Sequence, residues 1–268
     1  MRKRLLPEKE ICQAYIEGKN SNLIAKEFGC WPHNILKILK NNGIDRRSGS
    51  EIRKKYLLNE DYFNSIDCER KAYLLGFLCA DGCVIAKNHR NCGGFSLFLH
   101  PKDVEIIEFL IEEIFITKKT INKSNKGLLG VRAYSEKIFN DLTRLGCVPN
   151  KTLSLNFPSE ETVPIEYLNH FIRGYFDGDG CITGKGYKAT CSFNGSKSFI
   201  LDLQKYLSSL GVVSCLTDQN KYNKNCFTIA SSSKNAIKFL YNFFYRDATI
   251  FLKRKKSKFE ERIGSFLS

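Results

Sequence analysis

Apolar positions recur every three to four residues through EKEICQAYIEG, SNLIAKEFG and WPHNILKILKNNG. Residues 8 to 43 therefore predict three short helices, with Ser21 as a cap and Gly43 as a stop. Within them, IAKEFGCWPHNILKIL has the small residue, glycine turn and following amphipathic helix of a helix-turn-helix, a pattern that any three-helix bundle shares. The next stretch, DRRSGSEIRKKY, is charged and aperiodic and reads as a linker. Beyond it the pattern occurs twice. YLLGFLCADG leads into strand-like CVIAK and GGFSLFLH, helical VEIIEFLIEEIF, a polar hairpin region KKTINKSNKGLLGVRAYS and helical EKIFNDLTRLG. FIRGYFDGDG leads into CITGK, YKATCSFN, SFILDLQKYLSSLG, VSCLTDQNKYNKNCFTIASS and NAIKFLYNFFY. The chain thus predicts an α+β protein with two αββαββα repeats. Residues 1–46 form a helix-turn-helix-like module and 47–69 a linker; 70–157 are the first repeat, and 158–268 the second with a basic C-terminal segment.

Charge narrows the partner. The chain has 42 Lys or Arg against 28 acids, a net +14, which suits a polyanion such as nucleic acid. Residues 1 to 56 carry 13 of those cations and 6 acids, so the N-terminal module is a candidate for DNA contact. No run approaches the roughly 18 apolar residues needed to span a bilayer, and MRKRLLPEKE lacks the apolar core of a secretory signal. The expectation is no membrane partner and an intracellular location, cytoplasmic or nucleoid-associated, with an organelle left open. Eleven cysteines, mostly within apolar runs and without zinc-like paired spacing, read as reduced, small buried hydrophobes.

The chemistry lies in the two apolar runs. Gly76 and Ala80, like Gly174 and Gly178, stand four apart and give each helix a smooth face, so Gly76 and Gly174 are expected to let the two helices pack together. Gly82 and Gly180 suit a left-handed helix end. Asp81 and Asp179 face the negative end of the helix dipole and, if the helices pair, each other. A divalent cation relieves both costs. Mg2+, with Mn2+ as a substitute, would take these two carboxylates and the carbonyls of Ala80 and Gly178, a site suited to phosphodiester hydrolysis.

At these residues, LLGFLCADG and IRGYFDGDG, the sequence resembles the LAGLIDADG homing endonucleases of mobile genetic elements in their single-chain, two-motif form, over about residues 60 to 262. The resemblance implies a pseudo-twofold saddle of two antiparallel sheets over double-stranded DNA. It further implies a monomer without an obligate protein partner that makes a staggered double-strand break, with Asp81 and Asp179 as metal ligands. By the same resemblance Lys151 and Lys255 are candidates for catalytic support, with Lys102 and Lys253 as rivals. Asp177 stands where the family often has its first acid and repeat 1 has Cys79, so Asp177 is read as a local hydrogen-bonding residue.

Hairpin tips offer candidate base readers, which are equally ordinary loop residues. In the first repeat these are Lys87, Asn88, Arg90, Asn122, Lys123, Asn125 and Lys126. In the second they are Lys185, Tyr187, Lys188, Gln219, Asn220, Lys221, Asn223 and Lys224. The basic run LKRKKSKF at 252 to 259 is expected to lie along phosphates. Two other readings use the same fold: a catalytically inactive DNA-binding transcriptional regulator and an RNA-splicing maturase.

Overall fold

The computed structural model describes residues 6–45, 56–89, 92–151, 154–218 and 226–267 and divides into two compact units, Met1–Leu57 and Leu58–Ser268. In the first unit, α1 (Glu8–Ile16), α2 (Ser21–Glu27) and α3 (Pro32–Asn41) enclose a core of Ile11, Tyr15, Ile24, Ile35, Ile38 and Leu39. The α2 cap is Asn20 rather than the expected Ser21: the Asn20 side chain accepts a hydrogen bond from the Leu23 N–H at 2.9 Å, which makes Ser21 the first helical residue. Gly29, at φ 62°, turns the chain between α2 and α3.

The second unit holds both repeats. The first runs α4 (Glu69–Asp81), β1 (Cys83–Ile85), β2 (Gly94–Leu99), α5 (Val104–Ile114), β3 (Asn122–Lys123), β4 (Leu129–Tyr134) and α6 (Glu136–Arg144). The second runs α7 (Ile165–Asp179), β5 (Cys181–Thr183), β6 (Thr190–Gly195), α8 (Lys197–Ser209), β7 (Cys215–Asp218), β8 (Phe227–Ser231) and α9 (Lys234–Tyr245), and is extended by α10 (Lys253–Leu267). Each repeat makes a four-stranded antiparallel sheet, ordered β1-β2-β4-β3 and β5-β6-β8-β7. Strand alternation sends Phe95, Leu97, Val131 and Ala133 of one sheet, and Cys191, Phe193, Phe227 and Ile229 of the other, into the core.

Two expectations about the chain's path are corrected. Residues 58 to 69 are not linker: Tyr62, Phe63 and Ile66 are buried, the Asn59 N–H donates to the Ile114 carbonyl at 2.8 Å, and Leu58 bridges Phe115. Apolar side chains at 62, 63 and 66 are enough to bind the segment to the first repeat despite its polar neighbours. The run 252 to 259 is likewise not wholly open to solvent. It opens α10, with Leu252, Lys255 and Phe259 buried, Lys253 paired with Glu105, and Arg254 held by Asp103 through two bonds of 2.7 and 2.8 Å.

Helices α4 and α7 pack against each other along their length. A Cβ on Gly76 would stand 2.0 Å from the Phe171 carbonyl oxygen, and one on Gly174 would stand 2.1 Å from that of Tyr73. Each helix therefore places its backbone on the other's glycine, three residues after Phe171 and after Tyr73 respectively. Such contact is open only to glycine and offsets its roughly 1 kcal/mol helix cost. The glycines ending these helices do not adopt the expected left-handed conformation: φ is −71° at Gly82 and −74° at Gly180, both extended. Their requirement is space, because a Cβ at Gly82 would meet the Leu78 carbonyl oxygen at 2.6 Å and one at Gly180 would meet Phe176 Cδ2 at 2.1 Å.

Candidate active site

The paired helices end side by side, and each enters a strand of its own sheet two residues later. Asp81 and Asp179, the last residue of each helix, are both exposed at this junction. A Cβ on Gly178 would stand 3.3 Å from Asp81 Oδ2 and 2.4 Å from the Ala80 Cβ, so the Asp81 carboxylate lies directly against the partner helix end. Protein crowding on their inner side raises the pKa of both acids. Asp179 is pushed up to about 6 by desolvation and then by the Asp81 charge, with Lys151 and Lys255 opposing. Asp81 is raised by desolvation against the pull of Lys255 and Lys151. Two carboxyl groups held against their ionisation at an open surface form a site that gains from a cation.

Lys151 and Lys255 complete a symmetric frame. Lys151 Nζ donates to the Gly82 carbonyl and Lys255 Nζ donates to the Gly180 carbonyl, so each repeat has a lysine bound to the glycine that follows its aspartate. Both lysines are buried. Burial lowers the pKa of Lys255, while Asp177 works to raise it. An ammonium has three N–H donors, so after the carbonyl bond each lysine keeps two for another oxygen. Of the rival lysines, Lys253 is occupied by Glu105 at 3.2 Å and Lys102 lies exposed in the turn before α5.

The donor set suits a hard cation: two carboxylates, with the half-buried Ala80 and Gly178 supplying main-chain carbonyls beside them. Among the described residues no group of three or more His, Cys, Asp or Glu converges as a metal cage. A cation here would complete its shell with water and substrate oxygens, as Mg2+ commonly does.

Asp177 is not part of this open face. It is 1% exposed and accepts hydrogen bonds from Tyr73 Oη at 2.8 Å, Tyr245 Oη at 2.9 Å and the Leu252 N–H at 2.7 Å. Desolvation pushes its pKa up to about 6 against those bonds. The matching Cys79 is also buried. Its hydrogen bond with Cys147, then burial, raises the thiol well above its usual range.

The comparisons speak to the domain and the fold. The family model described as a LAGLIDADG-like domain matches residues 166–264. Meganuclease I-SmaMI bound to uncleavable DNA with a TTGT central four superposes with a TM-score of 0.51 at 15% identity, over 73% of this chain and 88% of that one. I-SmaMI bound to its uncleaved DNA target in the presence of calcium ions gives 0.50 at 15% identity, over 70% and 88%. No curated protein matches the sequence significantly. The chain carries a LAGLIDADG-like domain and has the fold of the two-motif LAGLIDADG meganucleases.

Around the two central helices, the candidate readers at hairpin tips fall into three groups. Asn88, Asn122, Lys123, Asn125, Lys126, Lys185 and Lys188 are exposed, Asn122 and Lys123 on the edge strand β3. Lys87 is bonded to Glu136 at 2.8 Å and lies over the Phe139 ring. Arg90, Gln219, Asn220, Lys221, Asn223 and Lys224 lie outside the described residues, as does the side chain of Tyr187. Further polar residues stand on the sheet faces between the tips. Arg132 and Tyr134 are exposed on β4, alternating with buried Val131 and Ala133, and Thr190, Ser192, Asn194 and Thr228 are half-buried on the second sheet. The alternation was readable in LGVRAY as a strand with one wet face.

Proposed function

We propose that the protein is a site-specific DNA endonuclease that cuts both strands of a long target by Mg2+-dependent phosphodiester hydrolysis, with Mn2+ able to substitute. The observation that carries this reading is the pair of exposed carboxylates, Asp81 and Asp179, at the ends of two tightly packed helices, each flanked by a buried lysine bound to the next glycine carbonyl. Asp81 and Asp179 would hold the cation, aided by the Ala80 and Gly178 carbonyls. When bound, it supplies Lewis-acid stabilisation of the charge developing on the phosphate and lowers the pKa of water. Lys151 and Lys255 donate their remaining N–H groups to phosphate oxygens, one lysine for each strand. The exposed hairpin residues, with Arg132 and Tyr134, contact base edges and backbone. That I-SmaMI has been captured on DNA, with calcium ions in one case, supports duplex DNA and a divalent cation as the partners.

In this reading the N-terminal unit is a second DNA contact. Trp31, His33, Asn34, Lys37 and Lys40 are exposed along α3 with no acid among them, as a helix entering a major groove requires. Protein that neutralises about eight phosphates will lose affinity with a log–log salt slope of roughly −7.

The test is cleavage of plasmid carrying the uninterrupted host locus around the gene. Mg2+-dependent linearisation, abolished by chelator and by the double substitution Asp81→Asn with Asp179→Asn, supports the assignment. DNA that binds tightly yet stays intact under every divalent cation would favour the transcriptional-regulator reading, and restored intron splicing that survives the double substitution would favour the maturase.

A further inference from the structure

The two lysines reach their matching positions by different means. Lys151 follows α6 in the first repeat, whereas Lys255 sits in the first turn of α10, an element without a counterpart among the described residues of the first repeat. What aims that turn is a carboxylate outside the cation-binding face. Asp177 receives the Leu252 N–H at 2.7 Å, and the Leu252 carbonyl in turn receives the N–H of Lys255 at 2.9 Å and of Lys256 at 3.1 Å. Leu252 is therefore the hinge from which α10 starts, and Asp177 holds it by its main chain. The other bonds to Asp177 come from Tyr73 on α4 and Tyr245 on α9, so one buried carboxylate ties together both central helices, the last helix of the second repeat and the start of α10.

The connection closes on itself. Lys255, placed by that turn, lies over the Phe176 ring at 5.4 Å and ends on the Gly180 carbonyl, one residue beyond Asp179. From outside, Glu105 accepts the Lys253 N–H at 2.8 Å, and Asp103 grips Arg254. Glu105 thus holds the peptide that follows Leu252, while Asp177 holds the one that precedes it. In the first repeat the position equivalent to Asp177 is Cys79, whose neutral thiol meets Cys147, four residues before Lys151.

We propose that Asp177 is a positioning residue for Lys255 rather than for Lys151, so that damage to Asp177 falls chiefly on one DNA strand. The inference rests on the endonuclease reading above and extends it to an asymmetry between the two cuts. Because a misplacement of about 1 Å costs on the order of a hundredfold in rate, a lysine released from its hinge should slow its own cut strongly.

The experiment is single-turnover cleavage of a duplex with a different fluorophore on each strand. Lys151→Ala and Lys255→Ala first assign a strand to each lysine. Asp177→Asn, which keeps shape but cannot accept all three hydrogen bonds, is then expected to slow the Lys255 strand by at least about tenfold and the other strand by less than about twofold. It should add nothing further in a Lys255→Ala background and its full effect in a Lys151→Ala background. Tyr245→Phe removes one of the three bonds and should give the same strand bias at about threefold, a check that survives if Asp177→Asn folds poorly. Equal slowing of both strands, full additivity with Lys255→Ala, or lysine variants that each slow both strands alike would overturn the inference while leaving the endonuclease reading intact. Wild-type protein that cuts neither strand of the uninterrupted locus would overturn both.

Discussion

The two repeats share what faces the open junction and differ in what lies behind it. Asp81 matches Asp179, Gly82 matches Gly180, and Lys151 matches Lys255 in its carbonyl bond. Behind them Asp177 replaces Cys79, and the fully buried Arg173 of α7 stands where α4 has Leu75. Arg173 Nη2 donates to Glu69 Oε1 at 2.6 Å and Nη1 donates to the Phe244 carbonyl at 3.1 Å, while the same Glu69 oxygen accepts the Thr249 N–H at 2.9 Å. Arg173 and Asp177 of α7 thus sit in hydrogen bonds that cross to α4 and α9, whereas Leu75 and Cys79 at the matching positions of α4 use apolar packing and a thiol pair. Each half meets the same geometric demand at the surface, and each can do so with different interior chemistry.

If the surface equivalence holds, Asp81→Asn and Asp179→Asn should each lower the cleavage rate by at least about a hundredfold, or about 2.7 kcal/mol of barrier by the usual conversion. A loss confined to one of them would break the symmetry of the site. Next in size is the helix contact. Gly76→Val and Gly174→Val should destabilise the fold by about 3 kcal/mol each, read from urea midpoints, because both Cβ atoms press on a main-chain carbonyl. Unequal costs would show that only one helix is tightly seated.

The interior should behave unequally. Burial works to raise the pKa of Glu69, but the Thr249 bonds and Arg173 outweigh it and hold the carboxyl below its usual range. Its stabilisation is present above about pH 4.3 and is lost as pH falls through the lowered folded value. Glu69→Gln should cost about 2 kcal/mol at pH 7, by strand-independent urea unfolding, because it leaves the Arg173 charge buried without its ionic partner. Arg173→Met should cost less, since the matching Leu75 shows that an apolar residue serves at this position in the other repeat. The reverse order would mean that Arg173 contributes mainly by packing.

The smallest effect has the opposite sign. Asp179 is pushed up to about 6, above its unfolded value of about 3.9, so the stability it contributes is whole below that value and lost as pH rises through 6. At pH 7.5, with chelator present, Asp179→Asn should raise Tm by about 2 °C, a modest figure because the carboxylate is exposed and its repulsion screened. Near pH 3 the gain should vanish. A lowered Tm at pH 7.5 would show that the aspartate helps hold the fold.

Much of the fold was legible because its signals are local. Apolar periodicity marked α4 and α7, and a repeated interior glycine, costly in a lone helix, marked their contact. The same reasoning failed where space rather than dihedral angle ruled: Gly82 and Gly180 are extended, and what demands glycine is the preceding turn of their own helix. Nor did it anticipate that at 252 to 259 Asp103, Glu105 and the Gly180 carbonyl take three of the cations. The acids that answer those cations are some 150 residues away in sequence, which no local pattern reveals.

By itself the sequence determined a doubled αββαββα chain, basic in charge, with one carboxylate at the end of each glycine-bearing helix. Those features follow from side-chain period and from residue identity at fixed spacing, which neighbouring positions set. Only the tertiary structure decided that the two carboxylates share one exposed junction, that Lys151 and Lys255 end on equivalent carbonyls, and that Asp177 turns inward. Those outcomes depend on which distant segments supply hydrogen-bond partners for buried charge, and burial is a property of the packed chain rather than of any stretch within it.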